Sequence, residues 1–278
     1  MGGYLRAAGG RGRRFLLLHG NPGNLDSFRV LAPALRTLGD VAFIDTPGFG
    51  KSPGLPGGGQ AIGLRPLADL FLAFVDRLGR ERVIVVGHSH GGAIAQTMAA
   101  RYPERIAGLV LLASLGYPAH WSYRLLSLPG AETALGLAAR AFPRRSLRPV
   151  LGCLVSQLMR PVFSPERVSK ARLDEELHRL VERPEILVHM AQLAQGRPSE
   201  RLREQIAEIH APCLFIHGAF DRLVAARYTR NLHLARLRSQ QPSRFVRLPT
   251  AGHMLPLFQA AEVAVQIGEW LPEVERQG

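Results

Sequence analysis

The stretch Val83-Ile-Val-Val-Gly-His-Ser-His-Gly-Gly-Ala-Ile-Ala-Gln-Thr-Met-Ala-Ala-Arg-Tyr102 organises the chain. Its first four residues are β-branched and continuous, the pattern of a short strand buried on both faces. Ala93 to Arg101 is Ala-rich and free of proline, the pattern of a helix. Between them Gly87-His88-Ser89-His90-Gly91 reads G-x-S-x-G. A strand that turns this sharply into a helix strains its central residue and needs small neighbours. The turn lifts Ser89 Oγ clear of the sheet. It also sets that serine at a helix N-terminus, where backbone N–H groups face developing negative charge.

The pattern repeats on both sides. Arg14–Leu18 is a second buried strand, followed by the turn-rich His19-Gly20-Asn21-Pro22-Gly23. Ser27–Leu38 carries Phe28, Leu31, Leu35 and Leu38 at helical spacing. Asp40–Asp45 is a strand running into Thr46-Pro-Gly-Phe-Gly-Lys-Ser52, and a Gly-rich loop over Gly54–Gly63 leads to a helix over Leu64–Leu78. Gly108–Ala113 is another strand, and Tyr4–Ala8 is expected as a short strand at the sheet edge. From Gly116 the rhythm breaks for about ninety residues, in which every regular pattern is helical. Alternation resumes with strand Pro212–Gly218, a helix over Arg227–Leu237, strand Arg244–Leu248 and a last helix over Leu257–Leu271.

An α/β fold follows, with a mostly parallel central sheet flanked by helices and interrupted by an all-helical insertion. Residues 1–115 and 204–278 form the core, and 116–203 a cap. Ligands of such sheets sit at the carboxyl ends of the strands. An insertion leaving after Gly108–Ala113 would cover that edge and build much of a substrate pocket, for which Trp121 and Tyr123 are candidates together with Pro22 and Met254.

Three loops converge on one chemistry. Ser89 needs a base, because a serine hydroxyl is a poor nucleophile near neutral pH. His253 follows the Arg244–Leu248 strand, and Ala251-Gly252 before it are small enough to let its loop approach. The imidazole needs an acid to hold its tautomer, and Asp221 follows strand Cys213–Ile216. The order Ser89, Asp221, His253 suits this topology. An oxyanion hole would draw one backbone N–H from His90 and one from Asn21.

These residues closely resemble the α/β-hydrolase superfamily. The resemblance rests on His19–Gly23, Asp45–Ser52, Gly87–Gly91, Asp221 and Gly252-His253, and it spans nearly the whole chain. It implies a serine hydrolase with a helical cap, no cofactor and no metal. The leading expectation is an esterase or lipase acting on small-molecule carboxylic esters with a hydrophobic acyl or alcohol group. C–C bond hydrolase, thioesterase and haloperoxidase or perhydrolase chemistry share the same constellation, and a non-catalytic small-molecule-binding protein is a further alternative. Two features depart from the family. Only about thirteen residues precede Arg14, leaving little room for the usual first hairpin. Asn21 resembles a halide-holding position of haloalkane dehalogenases, but those enzymes and epoxide hydrolases need a carboxylate where Ser89 stands.

Other residues read as structural. His19, His88 and His217 suit hydrogen bonding under the site. The His90 side chain is a candidate for the pocket wall. Asp45 is a second candidate acid, although its Pro-Gly loop suits a turn. His120, His178, His189, His210 and His233 show no ligand spacing.

Composition bounds the rest. The chain has 278 residues, 46% of them hydrophobic, and a formal net charge of +13. Its basic residues are almost all arginines, the lysines being Lys51 and Lys170. The arginines are scattered, with no nucleic-acid-binding motif, so no specific nucleic-acid partner is expected. The Leu/Arg stripes of the insertion would suit peripheral contact with a membrane surface. Cys153 and Cys213 lack metal-ligand spacing and read as free thiols of a reducing compartment. The first residues lack the apolar run of a secretion signal. A cytoplasmic monomer or homodimer is the expectation.

Overall fold

A computed structural model describes residues 4–7, 12–54, 63–114, 121–166, 169–195 and 199–276. Its strands are β1 (Tyr4–Ala7), β2 (Arg14–Leu18), β3 (Asp40–Ile44), β4 (Val83–His88), β5 (Ile106–Leu112), β6 (Cys213–Gly218) and β7 (Ser243–Leu248). They form one sheet in the order β1-β3-β2-β4-β5-β6-β7. β1 pairs antiparallel with β3, and the other six strands run parallel. The expected edge strand is thus present as four residues on the outside of β3.

The uninterrupted apolar runs have a simple cause: both faces of the sheet are covered. Leu16, Leu18, Val83 and Val85 face one way, onto Leu67, Phe71 and Val75 of α2 (Leu64–Arg77) and Ile94 and Met98 of α3 (His90–Arg101). Phe15, Leu17, Ile84 and Val86 face the other way, onto Leu31 and Leu35 of α1 (Leu31–Leu35) and Val263, Ile267 and Trp270 of α11 (Ala260–Glu275). Each such aliphatic side chain stabilises the fold by about 1.5–3 kcal/mol relative to exposure. Consecutive strand residues therefore both have to be apolar, because each has its own core to enter.

The helix expected over Ser27–Leu38 is broken. A 3-10 turn spans Leu25–Phe28, capped by Asn24, whose side chain accepts from the Asp26 N–H (3.0 Å); α1 then covers only five residues. Pro33 explains the break. It has no N–H for the carbonyl of Arg29, and its ring would collide with that carbonyl in a continuous helix. The periodic residues Phe28, Leu31 and Leu35 are nonetheless buried, since a broken helix keeps the same face inward.

Between β5 and β6 every regular element among the described residues is helical. These are α4 (Trp121–Leu126), α5 (Ala131–Ala141), α6 (Arg144–Phe163), α7 (Lys170–Glu182), α8 (Glu185–Gln195) and α9 (Ser199–Glu208). α7 starts at the Ser169 cap, whose side chain accepts from the Arg172 N–H (3.2 Å). Met159, Val162, Leu180, Ile186 and Met190 of this region join the core on the α2–α3 side of the sheet. α9 runs unbroken across position 203 and packs on α3 and on α10 (Ala226–Arg238). Leu125, Leu128, Leu137 and Phe142 stay exposed around α4 and α5. No described helix is long and apolar enough to cross a membrane.

The sheet order reverses between β2 and β4, since β3 lies on one side of β2 and β4 on the other. Such a switch point leaves a crevice beyond the strand ends. The loops after β2 and β4 both open there.

Candidate active site

Ser89 sits alone between β4 and α3, with φ 51° and ψ −118°. A non-glycine residue in this region stores about 1–3 kcal/mol of strain. Neighbouring bonds hold it there. Its N–H donates to Leu112 O and its carbonyl accepts from the Gly92 N–H, both at 2.9 Å. Gly91 is required by close approach: a Cβ there would run into the Leu18 carbonyl. The first turn of α3 therefore lies directly on the end of β2, and the loop after β2 comes beside the serine. A Cβ placed on Gly20 would stand 2.9 Å from Ser89 Cβ. His90 is the first residue of α3, and the first N–H groups of a helix have no partner within it.

Asp221 lies at the turn after β6 with a fully buried side chain. Its Oδ1 accepts from the Leu223 and Val224 N–H groups, both at 2.8 Å. Its Oδ2 accepts from His253 Nδ1 at 2.8 Å and faces His217 Nε2 at 3.1 Å. The tautomer of His217 follows from its neighbours. Nε2 also faces the Val224 carbonyl at 2.8 Å, so it must carry the proton, and Nδ1 accepts from the Thr229 hydroxyl at 2.7 Å. Burial alone would push the Asp221 pKa up. The His253 charge and the His217 and His253 hydrogen bonds more than reverse this, and the carboxyl is held below its ordinary range. Asp221 is therefore an ionised, four-donor anchor. His253 gives it Nδ1–H and keeps Nε2 as its basic nitrogen.

Three further histidines are packed around the serine in neutral form. Burial, with nearby His253 adding to it, pushes His88 down to about 3, and burial pushes His90 down to about 4. Burial also lowers His19. His88 Nε2 donates to the His253 carbonyl at 2.9 Å, which ties the β4 turn to the His253 loop. His19 Nδ1 donates to Gly20 O (2.8 Å) while its Nε2 accepts from the Thr46 N–H (2.9 Å). That bond locks the loop after β2 to the loop after β3. Asp45 serves the same scaffold, accepting from the Leu25 and Lys51 N–H groups at 2.8 and 2.7 Å.

Ser89 and His253 line one cleft, open to solvent, with a cavity volume of about 40 Å³. Asn21, Pro22 and Met254, all anticipated from the sequence, line it as well. Asp221 lies beneath His253, and the buried His90 side chain is not part of the wall. The side chains of Trp121 and Tyr123 fall outside the described residues, as does most of the Gly54–Gly63 loop. Sequence reasoning missed the remaining walls. Met159, Val162 and Phe163 come from α6, Arg172, Glu176 and Arg179 from α7, and Leu223 from the Asp221 turn. The spacing 172, 176, 179 already put those three on one helical face; nothing local said what that face would meet. Among the described residues no group of three or more His, Cys, Asp or Glu side chains is placed to hold a metal ion.

The chain is similar to known proteins over nearly its full length. It is 28% identical over 268 residues, 95% of this chain, to the dihydrolipoyllysine-residue acetyltransferase component of an acetoin cleaving system from Pseudomonas putida. It spans only 65% of that relative. It is 28% identical over 268 residues to the pimeloyl-[acyl-carrier protein] methyl ester esterase of Shewanella woodyi, covering 94% of this chain and 95% of that one. Its structure matches a thermophilic esterase from Thermogutta terrifontis with a TM-score of 0.76, at 24% identity and over 98% and 93% of the two chains. The pattern of the alpha/beta hydrolase fold matches residues 13–260, the span that holds the six parallel strands, the β4–α3 turn and the Asp221–His253 pair, and the chain belongs to the α/β-hydrolase-fold family.

Proposed function

We propose that the protein is a cofactor-independent serine hydrolase that cleaves carboxylic esters bearing a hydrophobic group. The observation that carries this reading is the Asp221–His253 hydrogen bond of 2.8 Å, set in the same cleft as a serine held at positive φ on a helix N-terminus. His253 Nε2 takes the Ser89 proton as Oγ attacks the ester carbonyl. Asp221 holds the ring and stabilises the imidazolium that forms. The backbone N–H groups of His90 and Asn21 receive the oxyanion, each worth about a hundred- to a thousandfold in rate. His253 then hands the proton to the departing alkoxide, activates water, and the acyl group leaves Ser89 as a carboxylic acid. Met159, Val162, Phe163, Leu223 and Met254 supply the apolar wall for the substrate chain. The esterase relative named above supports the same reading.

The test pairs two assays on wild type and Ser89→Ala. A fluorophosphonate probe should label wild type at Ser89 and leave the variant unlabelled. 4-Nitrophenyl esters from acetate to palmitate should be cleaved only by the wild type, with an optimum that measures the apolar wall. Full ester hydrolysis by Ser89→Ala would refute the proposal. A labelled serine without ester turnover would redirect it to another acyl or C–C substrate.

A further inference from the structure

We propose that Arg172 and Arg179 on α7 form an anion-recognising wall, so that the substrate carries a carboxylate or phosphate on its non-reacting end. This inference rests on the hydrolase reading for the identity of the reacting end, and on the cleft alone for the anion.

Both arginines line the cleft that holds Ser89 and His253, and Glu176 lies between them on the same face. Arg172 Nη2 is 3.0 Å from Glu176 Oε1, and Arg179 contacts the other oxygen of the same carboxylate. Glu176 is 9% exposed. Arg172 has a second acidic neighbour, Glu175, at 3.3 Å, but its side chain is 67% exposed and its charge is screened by water. One buried carboxylate thus serves two guanidinium groups, and the cleft wall keeps an excess of positive charge. Asp221 is no partner of this wall: it does not line the cleft, and its oxygens face Leu223, Val224, His253 and His217.

Such an arrangement is poor as a structural device. Ion pairs at i,i+3 or i,i+4 on a helix add only a few tenths of a kcal/mol when exposed, and partial burial makes an excess charge unfavourable unless something compensates it. A ligand anion would do so. The guanidinium fork matches carboxylate and phosphate geometry better than an ammonium would. The Arg172 guanidinium also lies 6.0 Å from the centre of the Phe163 ring, at the junction between the cationic wall of α7 and the apolar wall of α6. The cleft therefore has an apolar wall on α6 and a cationic patch on α7. It fits a molecule with an apolar chain and an anionic tail better than a wholly apolar ester.

The experiment compares kcat/KM for mono-4-nitrophenyl esters of succinate, glutarate and adipate with their methyl-ended counterparts of equal length. A phosphonate-ended series distinguishes phosphate from carboxylate as the preferred tail. Wild type should favour an anionic series at one chain length or more. In Arg179→Gln the ratio of anion-ended to methyl-ended kcat/KM should fall about ten- to a hundredfold. In Glu176→Gln, which removes the buried negative charge between the two arginines, the ratio should rise. A wild type that favours methyl-ended esters at every length, or a ratio unchanged by Arg179→Gln, would overturn the inference. If no ester is turned over, the ester reading fails separately, and calorimetry of adipate against hexanoate decides the wall. Tighter adipate binding that disappears in Arg179→Gln would uphold it, and equal binding of the two acids would end it.

Discussion

Lowering the pH from 7 to 5 should unfold this protein more readily, and the structure sets the size of the effect. His88 and His90 are buried, and burial moves their pKa values to about 3 and about 4. In the unfolded chain each returns to about 6.5. Between these limits the unfolded state binds a proton that the folded state refuses, so stability falls as pH falls. At pH 5 protonation favours the unfolded form of each histidine by about 2 kcal/mol more than at pH 7. Because both folded values lie a unit or more below pH 5, their exact positions hardly change this figure. The pair removes roughly 4 kcal/mol, a large part of the 5–15 kcal/mol typical of a domain. His19, shifted downward by the same burial, adds to the loss. The assay is equilibrium urea unfolding at pH 7, 6 and 5 for wild type and His90→Leu. The variant should lose about 2 kcal/mol less than wild type across that range, whatever its stability at pH 7. A flat wild-type profile, or identical pH dependence in both proteins, would refute the buried neutral histidines.

Two further substitutions probe how the site is held. Asp221→Asn keeps one oxygen for the Leu223 and Val224 N–H groups but points an NH2 at His253 Nδ1 and His217 Nε2, both donors. Ester hydrolysis should fall by roughly a thousand- to ten-thousandfold with KM little changed; a loss under tenfold would remove Asp221 from the mechanism. At Gly252 a Cβ would run into the Ser164 carbonyl, where the segment after α6 crosses the loop of His253. Gly252→Ala should therefore destabilise by about 1–3 kcal/mol in urea unfolding and lower kcat through displacement of His253. Wild-type stability together with wild-type rate would show that the contact is not tight.

The sheet and its turn were legible because their information is local. Four β-branched residues, a glycine-flanked serine and an Ala-rich run specify strand, strained turn and helix without reference to the rest of the chain. The chain order of Ser89, Asp221 and His253 was equally readable, since each follows directly on a strand whose apolar run marks it. Errors arose where one residue overrode a periodic pattern. Pro33 breaks the Ser27–Leu38 helix while leaving its buried face intact, so the periodicity was right about burial and misleading about continuity.

The sequence by itself determined the parallel sheet, the positions where chemistry-bearing residues leave it, and the need for small residues beside Ser89. Only the tertiary structure decided that His217 shares Asp221 with His253, that His88 fastens the turn to the His253 loop, and that α7 turns Arg172, Glu176 and Arg179 into the cleft. The physical reason is range. A strand or a glycine turn is dictated by neighbours a few residues away, whereas His253 reaches Asp221 and His88 across 32 and 165 positions of sequence, and the α7 face depends on how that helix packs. A helical face is visible in a sequence; what it faces is set by packing, and in this protein the packing places paired arginines in the wall of the cleft that holds the serine.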